Sequence, residues 1–283
     1  MPRRRQPTAR QVRLGIELRK LREAAGLKAR EAAALLGADS VQMSQIEAGI
    51  AGVSEERVRR LAAQYNCADP ELVDGLVAMA TDRTRGWWEE YRGALPDSFL
   101  DLSELEYHAT YRWDMDFLFI PGPLQIEDYA RALFADRVPA LPERDLDLRV
   151  RHRMQRRQTI EGPTAVPYVA IIHEAALRIR ACDRVASRKQ LARVLDLSEA
   201  DHITVRIVPL DLDSFASAGA TMVYAGGTVS KLDTVVRDAP HGTVFIDAEA
   251  QLGTFRAHFH KVEARSLEQG PSRDLIHKLA KEL

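Results

Sequence analysis

Ser40, Gln42, Ser44 and Gln45 place four uncharged hydrogen-bonding side chains within six residues, with Val41 among them. Hydroxyl and amide groups donate and accept at once, which matches the edges of base pairs in a DNA major groove, and valine methyls suit a thymine methyl. Such groups can read bases only if a short, firmly held helix presents them on one side. Residues 27–49, LKAREAAALLGADSVQMSQIEAG, predict that support as two short helices joined by a tight turn. Ala32, Ala33, Leu35 and Leu36 give the first of these an apolar side. Gly37 closes it, since glycine takes the left-handed conformation that helix ends favour. Asp39 or Ser40 caps the second helix by accepting its orphan amides, and Met43 and Ile46 face the core. Lys28 and Arg30, at the start of the pair, are candidate phosphate ligands. Arg3, Arg4 and Arg5 form an N-terminal arm suited to the DNA backbone or a minor groove.

The flanking sequence predicts the elements that hold this pair. A helix over 8–25 carries Val12, Ile16, Leu18 and Leu21 on its buried side. A fourth helix begins near Ser54, a good cap, and carries Val58, Leu61 and Ala62 to about residue 65. Asp69-Pro70 opens a fifth, with a capping acid followed by proline where its missing amide does no harm. Leu72, Val73, Leu76, Val77 and Met79 recur along it at helical spacing. Residues 1–80 are therefore expected to form an all-α domain of five helices. The composition changes over 81–86, and residues 81–283 read as a larger α+β C-terminal domain. Helices are expected over 101–111, 124–134, 143–160, 185–197, 249–264 and 272–283. Strands are expected over 117–120, 166–172, 203–209, 220–224, 234–237 and 243–246, which are rich in β-branched and aromatic residues.

Charge separates the two parts. Residues 1–65 hold 13 Lys and Arg against 7 Asp and Glu, whereas the remainder holds 27 against 34, so a basic head precedes an acidic body. That asymmetry points to a polyanionic partner for the head alone. Hydrophobic residues at 46% and charged residues at 29% are globular values. MPRRRQP has no apolar segment behind it, so no secretory signal is expected, and no run is long enough to span a bilayer. Cys67 and Cys182 are too few and too far apart for a disulfide framework or a zinc ribbon. They read as buried thiols in a reducing cytoplasm, and the chain is expected to be cytoplasmic and nucleoid-associated.

Catalytic patterns are not found. His173-Glu174 begins like a zinc-protease motif, but Leu177 stands where the second histidine is needed. His258 and His260 lack a third ligand at zinc spacing. Gly226-Gly227 reads as a turn, and no nucleophile-elbow, Walker or dinucleotide pattern occurs. The expectation is a protein that is not an enzyme and needs no cofactor or metal. Residues 144–157 carry six arginines interleaved with Leu146, Leu148, Val150 and Met154, and read as an amphipathic helix with a solvated basic face. Trp87, Trp88 and Tyr91 lie just past the boundary as either a stacking box or linker packing. Pro121-Gly122-Pro123, followed by Leu124-Gln125, reads as a turn into a helix. Candidate residues for a partner or effector are Trp87, Trp88, Tyr91, Pro121, Gly122 and Gln125.

The N-terminal residues LRKLREAAGL (18–27), Ala32-Ala33 with Leu36-Gly37, and SQIEAG (44–49) resemble the helix-turn-helix of phage repressors and Cro, the XRE family. The remainder resembles the large C-terminal domain of actinobacterial regulators with such a head, through RGWWEEY (85–91), IPGPLQIEDYARALF (120–134), HEAALR (173–178) and ITVRIVPL (203–210). The resemblance implies a transcriptional regulator, often encoded beside a small partner protein and described as antitoxin-like. It also implies that bases are read mainly from Ser40, Val41 and Gln45, with Gln42 and Ser44 beside them. Ala29 and Ser40 stand where the family commonly has Gln, Gln45 where Arg is frequent, and Ile50-Ala51-Gly52-Val53 where many members have a basic loop. These departures shift the expected affinity onto Arg3–Arg5, Lys28, Arg30 and dimerisation. The expected function is a sequence-specific DNA-binding regulator acting on a double-stranded operator as a homodimer, with a C-terminal domain that dimerises and binds a small protein or effector. The alternative is an antitoxin-like module that sequesters a small partner, with DNA binding secondary or lost.

Overall fold

Thr8 opens the first helix through reciprocal bonds: its hydroxyl accepts from the Gln11 amide at 3.3 Å, and the Gln11 side chain accepts from the Thr8 amide at 3.0 Å. This helix, α1 (Ala9–Ala24), begins a computed structural model that describes residues 6–213, 221–239 and 242–283. It is followed by α2 (Ala29–Leu35), α3 (Ser40–Glu47), α4 (Glu55–Gln64) and α5 (Pro70–Thr81). Each later boundary has a local cause. Gly37 is left-handed at φ +64 between α2 and α3, Ser54 caps α4, and Asp69 caps α5 ahead of Pro70. Leu14, Leu18, Met43, Ile46, Val58, Leu61 and Leu76 form one buried cluster. The N-terminal region is thus the five-helix all-α unit that was expected.

Two expectations within this unit are corrected. Leu14 and Leu18, not Val12 and Ile16, form the buried apolar side of α1; Val12, Ile16 and Leu21 are half-buried. Arg13, Glu17 and Arg22 are also interior, which a count of apolar spacing could not anticipate. The compact unit also runs past 81–86 to Glu89, and it takes in the distant segment Thr228–Leu232. Val229 and Leu232 pack on the helical core, Arg13 Nη2 donates to the Lys231 carbonyl at 2.7 Å, and Lys231 pairs with Asp69 at 2.9 Å.

The second unit is an α+β domain built on one six-stranded sheet of order β3-β2-β1-β4-β5-β6. Its strands are β1 (Tyr111–Asp116), β2 (Tyr168–His173), β3 (Ile203–Val208), β4 (Met222–Gly226), β5 (Thr234–Ala239) and β6 (Gly242–Ile246). The first three are parallel, while β4, β5 and β6 continue the sheet antiparallel. Its helices are α6 (Asp97–His108), α7 (Glu127–Ala135), α8 (Glu143–Gln155), α9 (Gln158–Glu161), α10 (Glu174–Arg178), α11 (Arg184–Leu197), α12 (Glu249–Glu263) and α13 (Gln269–Glu282). Tyr168, Ala170, Ile172, Ile203, Val205 and Ile207 share one face and pack with Leu191 and Val194 of α11 and Ile276 and Leu279 of α13. On the other face Met115, Ile171, Met222, Tyr224 and Val235 meet Leu252, Phe259 and Val262 of α12.

One strand lies where the sequence did not place it. Residues 117–120 are a loop, and the central strand β1 is Tyr111–Asp116, YRWDMD. Its Arg112 and Asp114 are 1% and 2% exposed, so a strand with charged residues on one face is nevertheless interior. Ordinary β-propensity passes over such a segment, because charge at alternate positions signals solvent unless every charge has a partner.

Candidate nucleic-acid interface

The recognition surface starts from the cap of α3. Asp39, not Ser40, provides it, its Oδ1 accepting the Gln42 amide at 2.7 Å. With Met43 1% and Ile46 2% exposed, the opposite side of the helix faces solvent. Ser40, Val41 and Ser44 are exposed there, and Gln42 and Gln45 are half-buried beside them. Val41 is 62% exposed, so its methyl groups are free to meet a partner. Ser44 is partly committed, since its hydroxyl donates to the Ser40 carbonyl at 2.9 Å. Lys28 and Arg30 are exposed at the start of α2 and make no ion pair among the described residues. The Lys28 amide donates to the Glu31 carboxylate at 2.6 Å, which fixes that turn. Arg3, Arg4 and Arg5 lie outside the described residues. The loop after α3 presents Ile50 at 57% exposure while Val53 turns inward at 3%.

What holds α3 in place is a buried ion pair that apolar spacing does not reveal. Arg22 Nε donates to Glu47 Oε1 at 2.6 Å and Nη2 to Oε2 at 2.9 Å, while Nη1 donates to the Leu27 carbonyl at 2.7 Å. Both side chains are less than a tenth exposed. The bidentate fork joins the last turns of α1 and α3, fixing the angle at which α3 is presented. Glu47 holds Arg22 firmly protonated against the opposing effect of burial. Both residues sit inside the two segments that carry the family resemblance, but at 25 positions apart nothing local in the sequence marks them as a pair.

Two glycines let the backbones meet. A Cβ on Gly15 would lie 2.4 Å from the Glu47 carbonyl oxygen, and one on Gly49 would lie 2.7 Å from the Gln11 backbone. Gly49 also has φ +72. Helix α1 therefore rests directly on the end of α3 with no side chain between them.

The remaining candidate residues are mostly interior. Trp88 is 2% exposed and Trp87 half-buried, with their rings edge-to-face at 6.1 Å. Tyr91 is 3% exposed and donates to Gln155 at 2.8 Å. Pro121 is buried, Gly122 half-buried and Gln125 2% exposed. Gln125 Nε2 donates to the Ile120 carbonyl at 2.6 Å, and its Oε1 accepts from Arg153 Nη1 at 2.6 Å. Its own carbonyl accepts from Arg157 Nε at 3.0 Å. The expectation of a solvated basic face over 144–157 is corrected accordingly. Arg156 is 5% exposed and pairs with Glu106 at 2.6 Å, while Arg149 lies over the Phe99 ring at 5.2 Å. The turn at 121–125 is locked to Arg153 of α8 and to Arg157 just beyond it, while Arg144 and Arg151 of the same segment remain exposed.

That lock adjoins the charges of β1. Arg112 forks onto Asp114 with two bonds of 2.8 Å and also binds Glu106, and Tyr168 donates to Asp114 at 2.9 Å. Burial opposes the charge on Glu106, but Arg112 and Arg156 outweigh it and hold the carboxyl down at about 2. Burial, with Arg156 alongside, pushes the neighbouring His152 down to about 3, so its ring is neutral at ordinary pH. Among the described residues Asp116 has no cation partner; burial raises it to about 6 against bonds from the Leu118 and Phe119 amides. His173, singled out in the truncated zinc pattern, caps α10 by accepting the Ala175 amide.

Comparison with known families gives two matches. Residues 13–76 match a family described as a helix-turn-helix domain. Residues 99–278 match one described as a domain of unknown function, DUF5753. No curated protein and no solved structure matches the chain. The head is thus a DNA-binding helix-turn-helix of the kind found in transcription regulators. Among the described residues no helix is long and apolar enough to cross a membrane.

Proposed function

The chain belongs to the DUF5753 family, whose model covers most of its second unit, and from the helix-turn-helix at its head we propose that it is a sequence-specific transcriptional regulator acting on double-stranded DNA. The reading is carried by one observation: α3 turns Ser40, Val41, Ser44 and Gln45 outward while Met43, Ile46 and the Arg22–Glu47 fork anchor it from behind. That surface is uncharged, so base discrimination rests on the Gln45 amide, the serine hydroxyls and Val41 against a thymine methyl. Lys28 and Arg30 supply phosphate contacts. A homodimer would read two half-sites about 34 Å apart. The second unit would bind a small protein or effector that distinguishes DNA-competent from incompetent states.

Footprinting over the DNA upstream of its own reading frame tests this. A protected pair of half-sites is expected, with log affinity falling against log salt at about −0.9 per phosphate contacted. Q45A is expected to bind cognate and scrambled sites more equally, by about tenfold for a lost bidentate base contact. K28A with R30A should weaken binding to every sequence alike. No protected site at low salt would sink the proposal.

A further inference from the structure

The connection between β4 and β5 is longer than its strands require. Neighbouring antiparallel strands are commonly joined by about two to five residues, whereas Gly226 and Thr234 are separated by the whole of 227–233. Most of that stretch, Thr228–Leu232, belongs to the core of the helical unit. Its apolar side chains sit against Gly75 of α5, where a Cβ would lie 2.7 Å from Leu232 Cδ1 and 3.2 Å from Val229 Cγ2. Arg13 of α1, 6% exposed, donates through Nη2 to the Lys231 carbonyl at 2.7 Å, while Glu17 holds its Nε at 2.8 Å. Lys231 Nζ lies 2.9 Å from Asp69, the cap of α5. The segment therefore grips α1 and α5, and α1 is the helix whose Gly15 and Arg22 meet Glu47 at the end of α3.

Both ends of the same segment are tied down in the second unit. Asp233 is 1% exposed, and its carboxylate accepts from the Tyr224 hydroxyl at 2.7 Å, the Tyr111 hydroxyl at 3.0 Å and the Gly227 amide at 2.9 Å. Arg256 of α12 donates to the Tyr224 hydroxyl at 2.9 Å and stands 3.6 Å from the carboxylate. The Gly227 bond closes the loop at its base, and the two tyrosines fix that base to β1 and β4. A Cβ on Gly226 would collide with the Tyr111 ring, so the base is as closely packed as the backbone permits.

We propose that Thr228–Leu232 is a strap through which the second unit sets the operator affinity of the head. Seated, it holds α1 and α5 and so the angle of α3; withdrawn, it opens the core at Gly75 and loosens that support. A short loop closed at its base follows any shift of the strands that carry it, so a ligand that moves β4 or β5 alters the seating. Such coupling is reciprocal, and an operator that favours the seated strap must also stabilise its base. The proposal rests on the reading of the second unit as ligand-responsive and names the element that carries the response. The plainer role, extra core area for the head, requires a tip that matters and a base that does not.

Hydrogen exchange of the full chain separates the two roles. Without DNA, Y224F removes one bond at the base while keeping the ring that packs on Trp113 at 4.9 Å. It is expected to speed exchange of the α5 amides by about threefold or more, although Tyr224 lies in the core of the second unit. With the operator duplex bound, the amides of β4 and β5 are expected to exchange about threefold or more slowly. V229S with L232S should abolish that response and weaken operator binding by about tenfold. A Y224F effect confined to the sheet, or β4 and β5 amides indifferent to an operator that the wild type binds, would each overturn the strap. Failure to bind any operator would instead remove the regulator reading, and the DNA-free comparison would still decide the strap.

Discussion

At the scale of residues, the interior charges carry the sharpest consequences. Arg22 and Glu47 form a pair with little solvent, and removing one partner strands the other. R22M is expected to destabilise the helical head by about 3–5 kcal/mol, the usual result of leaving a buried charge unpaired. Denaturant unfolding checks the value, and a change below about 1 kcal/mol would show the fork to be ornamental. His152 gives a pH signature. It is 1% exposed and its folded value of about 3 lies below the ordinary 6.5. Its contribution is therefore complete above pH 6.5 and is lost as pH falls toward 3, because the unfolded chain takes up the proton first. The stability difference between the wild type and H152Q should shrink by about 2 kcal/mol between pH 6.5 and 5. Glu106 behaves differently. Its depressed value places its loss only between about 4.5 and 2. A His152 ring resonance titrating near 6.5 would refute the buried neutral form.

At the scale of elements, the pairing of α1 with the end of α3 depends on backbone contact. G15A and G49A each insert a methyl where a carbonyl or peptide group already lies, and at Gly49 the positive φ adds strain. Each is expected to cost about 1–3 kcal/mol. That corresponds to several degrees of melting temperature for a domain of this size. Operator affinity should fall with it, since α3 is carried on that contact; unchanged melting in both variants would disprove the argument. Caps at Ser54 and Asp69 were legible because a capping residue announces itself locally. Strand β1 was not, because Arg112 and Asp114 are satisfied by each other, by Glu106 of α6 and by Tyr168 of β2, which only the fold sets beside them in the interior.

At the scale of the whole molecule, the helical unit is discontinuous in sequence. Val229 and Leu232 complete its core beside Gly75, where a Cβ would lie 2.7 Å from Leu232 Cδ1. L232S in the full chain is expected to speed hydrogen exchange of the α5 amides by about tenfold, consistent with about 1–2 kcal/mol of lost apolar burial. Exchange identical to wild type would show that 228–232 adds nothing. The sequence alone determined the five-helix head, its turn and caps, and the outward row from Ser40 to Gln45, because helix periodicity and capping act over a few residues. It also gave five of the six strands, through their β-branched character. Only the tertiary structure decided the Arg22–Glu47 fork, the inward turn of Arg153 onto Gln125 and of Arg156 onto Glu106, and the place of 228–232 in the head. Each of these joins residues whose separation in sequence carries no local signal, and a charge reads as solvent-facing until its partner is brought beside it by the fold.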